Sequence, residues 1–221
     1  MIKIAVVSQK GGAGKTTLAI HLGVVASRAG YVTCLIDTDP QATAAAWGDW
    51  RQGKDPEVIT CPPPRLAKTL EDARELGAEV VIIDTPPHAD AAAREAVRVA
   101  DLVLIPCRPR AFDLHAIATT ADLVKNSGRQ SVVVFNATPS RARVLRDEAR
   151  QVVESLGLQV APVALADRAA YHAAAANGKT AFEVEANGRG SREIEELWEW
   201  IAATTSLPAK AAPASQNTEA A

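Results

Sequence analysis

The feature that most constrains this chain is the junction of two patterns at residue 8. An apolar run, Ile2, Ile4, Ala5, Val6 and Val7, broken only by Lys3, leads directly into Ser8-Gln9-Lys10-Gly11-Gly12-Ala13-Gly14-Lys15-Thr16-Thr17. A nearly continuous apolar run reads as a parallel strand buried on both faces. Downstream, Leu18, Leu22, Val25, Ala26 and Ala29 recur at helical spacing. The glycines therefore occupy a strand-to-helix turn, where backbone N–H groups converge and the helix N-terminus adds positive potential for an anion. Small residues there let the backbone wrap a β-phosphate, Lys15 reaches the β- and γ-phosphates, and the Thr16 hydroxyl is placed to ligate Mg²⁺.

The pattern is not the standard phosphate loop. G-x-x-x-x-G-K-[ST] would put glycine at position 9, where this chain has Gln9, and Lys10 is an additional lysine. The run K-G-G-x-G-K-T-T resembles the deviant Walker A motif of the ParA/MinD family of ATPases. The resemblance implies nucleotide contacts from Gly11, Gly12, Ala13, Gly14, Lys15, Thr16 and Thr17, with Lys15 also assisting catalysis. It further implies that Lys10 crosses to the nucleotide of a partner, so that ATP joins two subunits face to face and hydrolysis releases them.

Other landmarks end strands. After the Ala29-Gly30 stop, an apolar strand over Val32 to Ile36 runs into Asp37-Thr38-Asp39-Pro40-Gln41. Carboxylates at the carboxyl end of a strand lie where an open α/β sheet places its ligand. Four apolar residues, Val80 to Ile83, run into Asp84-Thr85-Pro86-Pro87, as a Walker B element requires: a buried strand fixes a carboxylate near Mg²⁺ and the γ-phosphate. By the family resemblance of D-x-D-P-Q and I-I-D-T-P-P, Asp39 lies near the attacking water, Asp37 supports the metal site, and Asp84 acts on a magnesium-bound water. A strand over Val132 to Phe135 ends at Asn136, which in the family reads the adenine. In the family the loop after the strand here at Leu158 to Val160 closes over the base, so the resemblance implies secondary adenine contacts from Pro162 and Asp167. Leu102 to Ile105 and Pro106-Cys107-Arg108-Pro109 resemble the family's I-P-x-x-P segment, which borders the nucleotide and the dimer face. Whether Arg108 or Arg110 touches either is open from the sequence, with a solvated arginine the default.

Between these strands lie helical patterns. Residues 41–53 read as an alanine-rich helix whose Trp47 and Trp50, three apart, share a packing face. Helices are expected over 65–76, from about Asp113, after Pro139, over 169–176, and over Ser191 to Ile201, the last capped by Ser191. The helix after Pro139 brings Arg141, Arg143, Arg146 and Arg150 against Asp147 and Glu148. It suits either phosphate contacts or an exposed face with internal ion pairs. Asn177 to Glu183 resembles the family's G-K-T-V-x-E stretch and lacks the flanks of a second phosphate loop. His21, His88, His115 and His172 are scattered and read as surface or packing residues. Cys34, Cys61 and Cys107 lack metal-ligand spacing, do not match the cluster-ligand setting of nitrogenase-reductase-like carriers, and read as buried thiols.

Together these patterns predict a doubly wound, mainly parallel α/β sheet flanked by helices, of the deviant Walker A P-loop type. One domain spans 1–205, followed by a disordered Ala/Pro-rich tail over 206–221. With 221 residues and 48% hydrophobic composition the core is ample. A net charge of −2 gives no general attraction to nucleic acid, so any such contact needs a local basic patch. The expected location is cytoplasmic: there is no signal peptide and no membrane-length apolar run, and the acidic last helix (Glu193, Glu195, Glu196, Glu199) is no membrane anchor. The resemblance is to the short ParA type lacking an N-terminal helix-turn-helix domain. It implies ATP/ADP and Mg²⁺ as cofactors and an ATP-dependent homodimer with slow, partner-stimulated hydrolysis. It also implies nonspecific DNA binding, hence nucleoid association in the ATP state, and a small DNA-binding partner protein, in the service of plasmid or chromosome partition. The alternative is an ATP-gated adaptor that positions a protein cargo or recruits a DNA-transfer complex.

Overall fold

The computed structural model describes residues 1–88, 90–139 and 142–210. Arg141 and most of the expected tail lie outside the described residues. Seven strands form one sheet: β1 (Ile2–Val6), β2 (Thr33–Asp37), β3 (Glu57–Thr60), β4 (Val80–Asp84), β5 (Leu102–Cys107), β6 (Gln130–Phe135) and β7 (Gln159–Val160). Their order is β3-β2-β4-β1-β5-β6-β7, and every pairing is parallel. The expected mainly parallel sheet is therefore parallel throughout. The helices are α1 (Lys15–Arg28), α2 (Thr43–Trp50), α3 (Leu66–Glu75), α4 (Asp90–Val99), α5 (Ala111–Ser127), α6 (Arg143–Ser155), α7 (Ala169–Ala175), α8 (Ala181–Val184) and α9 (Arg189–Thr204).

The apolar runs are continuous because each strand feeds two cores. Ile4, Val6, Ile82 and Leu104 face one side with Leu18 of α1, Trp47 of α2, Tyr171 of α7 and Leu197 of α9. Ala5, Val7, Val81, Ile83, Val103 and Ile105 face the other, under Leu70 of α3, Val97 of α4, Ile117 of α5 and Val153 of α6. Period-2 alternation thus persists inside an unbroken apolar segment, distributed between two helical layers.

Register places the chemistry. β1 lies centrally between β4 and β5, with Val6 opposite Asp84, and Asp37 of β2 also opposite Asp84. The carboxyl ends of β2, β4 and β1 are therefore level, and the loop after β1 opens beside both aspartates. Thr38 ties the ends of the adjacent strands β2 and β4 together: its N–H and hydroxyl both donate to the Asp84 carbonyl, at 3.0 and 2.7 Å.

Several expectations need correction. α2 covers eight residues rather than the whole of 41–53, and only Trp47 is buried, at 2% exposure against 54% for Trp50. Trp50 ends the helix with its backbone covered by Gly178, where a Cβ would stand 2.6 Å from the Trp50 carbonyl carbon, while its ring points outward. Ser191 does not cap α9, which starts earlier at Arg189 after Gly188; its hydroxyl donates instead to the Glu185 carbonyl at 2.6 Å. α6 starts at Arg143 and, as folded, holds Arg143, Arg146 and Arg150 against Asp147, Glu148 and Glu154. Arg143 and Arg150 approach Asp147 and Glu154 one turn on, at 3.9 and 3.8 Å, which is the ion-paired arrangement. α4 has no counterpart in the sequence reading. Among the described residues no helix is long and apolar enough to cross a membrane.

Beyond α9 the chain runs to the amino-end side of the sheet. The Tyr31 hydroxyl donates to the Pro208 carbonyl at 2.7 Å, and Lys210 pairs with Glu79 next to the start of β4.

Candidate active site

The loop from Ser8 to Gly14 has backbone that only some residues tolerate. Gly12 and Gly14 have φ of +71° and +90°, and a Cβ on Gly14 would stand 2.0 Å from the Asn136 amide nitrogen. Glycine at 14 is therefore required twice, by conformation and by space. Asn136, at the end of β6, is 7% exposed and braces the loop: its Nδ2 donates to the Ala13 carbonyl at 2.9 Å, and its Oδ1 accepts the Ala137 N–H at 2.8 Å. Lys15 is 7% exposed, and its ammonium donates to the Lys10 carbonyl at 3.3 Å. Burial lowers its pKa, against the opposing pull of Asp84 and Asp39. Lys10 itself is half-buried and flanks a small crevice with Pro106, Cys107 and Asp113 at the start of α5.

The carboxylates divide into three roles. The Thr16 hydroxyl donates to Asp84 Oδ2 at 2.6 Å, while Asp84 Oδ1 is buried with no hydrogen-bond partner among the described residues. Burial drives the Asp84 pKa up to about 7, the Thr16 hydrogen bond opposing it and neighbouring Asp37 adding to it. An orphaned carboxylate oxygen beside a threonine hydroxyl suits a hard cation with oxygen ligands, and the buried Lys15 ammonium suits an anion next to it. Asp37 is buried, and its two oxygens accept N–H bonds from Asp39 and Ala45 at 2.9 and 3.0 Å, so it also holds the start of α2 in place. Burial raises its pKa and these bonds counteract the rise. Asp39 is half-exposed, with Oδ1 accepting the Gln41 N–H at 2.9 Å in a tight turn that fixes its direction.

Next to the loop is a cleft of about 330 Å³, within the range of small-ligand sites. Gly12, Gly14 and Thr17 border it on one side, and Asn136, Asp167 and His172 on another. Pro162 is exposed and does not line it, since the chain after β7 turns inward only later; Ala166, Asp167 and Arg168 are the residues that do. Arg168 is bound to Glu193 through Nε at 3.0 Å and through Nη2.

Arg108 departs from the sequence reading. It is half-buried rather than solvated, lines the cleft, and its Nε is buried with no hydrogen-bond partner among the described residues. The reason lies in how the end of β5 joins its neighbours. At the end of β5 the Cys107 carbonyl accepts the Asn136 N–H at 2.9 Å and the Arg108 carbonyl accepts the Arg110 N–H at 2.8 Å. This turn directs the Arg108 side chain over the loop. A charged residue between prolines at the end of a buried strand was the signal that could have identified it. His21, in the second turn of α1, is a packing residue as expected, buried between Thr17 and Ala181.

Comparison with known proteins agrees with this arrangement. The chain is 32% identical over 205 residues to the "Maintenance of carboxysome distribution protein A" of Gloeobacter kilaueensis, covering 90% of this chain and 91% of the relative. It is 30% identical over 182 residues to "Protein ParA" of Rhizobium radiobacter, covering 77% and 80%. Among solved structures, the septum site-determining protein MinD of Pyrococcus horikoshii complexed with Mg-ADP superposes with a TM-score of 0.75 at 17% identity, covering 95% of this chain and 99% of that one. Residues 4–181, from β1 to the start of α8, match the model described as the CobQ/CobB/MinD/ParA nucleotide binding domain. With its strand order, its glycine loop and its aspartates in one frame, the chain belongs to the CobQ/CobB/MinD/ParA family of nucleotide-binding domains.

Proposed function

We propose that this protein is a Mg²⁺-dependent ATPase that alternates between an ATP-joined dimer and separate subunits, and that this cycle positions a cargo. The observation that carries the reading is the Thr16–Asp84 contact of 2.6 Å, with the second Asp84 oxygen buried and unpartnered beneath a lysine-bearing glycine loop. Thr16 and Asp84 would hold Mg²⁺, and Asp37 would fix the geometry around them. When bound, Mg²⁺ supplies charge neutralisation for the phosphates. Lys15 and the amides from Gly11 to Thr17 bind the phosphate chain. Asp39, oriented by its turn, positions the attacking water, and Asn136 with Asp167 borders the base.

The cargo is DNA in the first reading: the ATP dimer binds DNA without sequence preference, and a small DNA-binding partner stimulates hydrolysis. Likeness to a ParA protein supports it. The second reading is an ATP-gated adaptor for a protein cargo. Likeness to a carboxysome-distribution protein favours it, as does the balance of charge on α6, which leaves no unopposed arginine stripe there.

Turnover and DNA binding test these readings. Removal of Mg²⁺ should abolish ATP hydrolysis, and Asp39→Ala should lower turnover by about 100-fold while ATP still binds. Unchanged turnover in that variant removes Asp39 from the mechanism. The ATP-loaded Asp39→Ala protein should then co-sediment with random-sequence DNA at low salt and release it as salt rises. Failure to bind at low salt assigns the protein-cargo reading.

A further inference from the structure

Three arginines line the cleft, and their situations differ. Arg168 is occupied by Glu193, and Arg110 is exposed. Arg108 is half-buried, its Nε is enclosed, and neither a carboxylate nor a carbonyl among the described residues takes up that nitrogen. A guanidinium nitrogen removed from water without an acceptor is costly, so such an arrangement in a cleft is kept for a ligand that provides one. Its Nη2 lies 4.0 Å from where a Cβ on Gly12 would stand, so the guanidinium rests on the phosphate loop itself. Its backbone is tethered: the carbonyl accepts from Arg110 N–H and from the Cys107 thiol, at 2.8 and 3.3 Å.

We infer that Arg108 is a nucleotide-phosphate ligand supplied by the same chain as the loop, a second fixed cation alongside Lys15. A planar fork of donors matches two oxygens of a phosphate, which a solvated lysine at the same place would address only as a point charge. The inference rests on the nucleotide reading of the site and adds a residue to it. The ligand completes the hydrogen bonding of a cation that the free protein keeps poorly satisfied. Arg108 therefore trades stability of the empty protein for affinity.

The two sides of that trade are measured separately. Equilibrium titration with a fluorescent ADP analogue should show Arg108→Met weakening ADP binding about tenfold, the loss of one charge-assisted contact, with Arg108→Lys between it and the parent. Thermal unfolding without nucleotide should show Arg108→Met melting no lower than the parent chain. ADP affinity within about twofold of the parent, or a lower melting temperature of the nucleotide-free variant, overturns the inference. A defect confined to ATP-driven dimerisation with ADP affinity intact would assign Arg108 to the partner's nucleotide and equally overturn it. Failure of the parent chain to bind ADP would instead remove the nucleotide reading on which the inference stands.

Discussion

His21 shows how one buried side chain joins the phosphate loop to a distant segment. Its Nδ1 lies 2.8 Å from the Thr17 carbonyl, and its Nε2 accepts the Ala181 N–H at 3.1 Å. Only the neutral ring with its proton on Nδ1 satisfies both contacts. Burial holds its pKa down at about 4, and the Tyr171 ring stands perpendicular to it with centroids 5.0 Å apart. Between the unfolded value near 6.5 and about 4, the unfolded chain binds the extra proton, so stability rises with pH there and is lost as pH falls. The depression corresponds to about 3 kcal/mol at neutral pH. Asp84, whose pKa is raised to about 7, gives the opposite slope over the same range, so the His21 contribution is read by difference. In urea unfolding the parent should lose about 3 kcal/mol more than His21→Gln as pH falls through that range, and an equal acid-side change in the two would place no loss on His21. The loop residues around His21 were legible in the sequence because their spacing is local. The reach of His21 to a residue 160 positions away was not, because no local pattern encodes it. For Arg108 the sequence marks the position, between prolines at a strand end, but not the burial, which depends on the Gly12 and Asn136 segments that meet only in the folded sheet.

At the scale of elements, α2 and α8 are joined by Arg51. Nη1 donates to the Gly178 carbonyl and to Glu183, both at 2.9 Å, Nη2 donates to Glu183 at 3.1 Å, and Nε donates to the Lys54 carbonyl at 3.2 Å. The guanidinium also stacks on the Trp47 ring, 4.6 Å from its centre. Glu183 meanwhile closes a capping box with Thr180 at the start of α8. Replacing Arg51 leaves Glu183 and several carbonyls without their donor, so Arg51→Met should cost about 3 kcal/mol in denaturant unfolding. A cost under about 1 kcal/mol would show that water replaces these bonds freely. The strands were legible because a doubly covered parallel strand is apolar along its whole length, and each chemical motif sits where such a run stops. α4 was not legible: Ala92, Ala93 and Ala96 bury little area each, so a genuine buried face looks nearly featureless in sequence. The true start of α9 was not legible because that helix begins without a side-chain cap.

For the whole molecule, the output of the proposed cycle depends on Lys10. Only its backbone carbonyl receives Lys15, and its side chain stands apart from that bond. Lys10→Ala should thus retain ATP binding while losing ATP-dependent dimerisation in sedimentation velocity, and undiminished dimerisation would refute the dimer model. The arrangement of the chain ends bears on how such a cycle is watched. The anchoring of Pro208 by Tyr31 and of Lys210 by Glu79 lies at the amino ends of β2 and β4, whereas the phosphate loop and both aspartates lie at the carboxyl ends. Five-residue strands separate these poles by roughly 15 Å. A fluorescent reporter fused after Lys210 would therefore depart from the pole remote from the phosphate loop, leaving that end of the sheet open to observation.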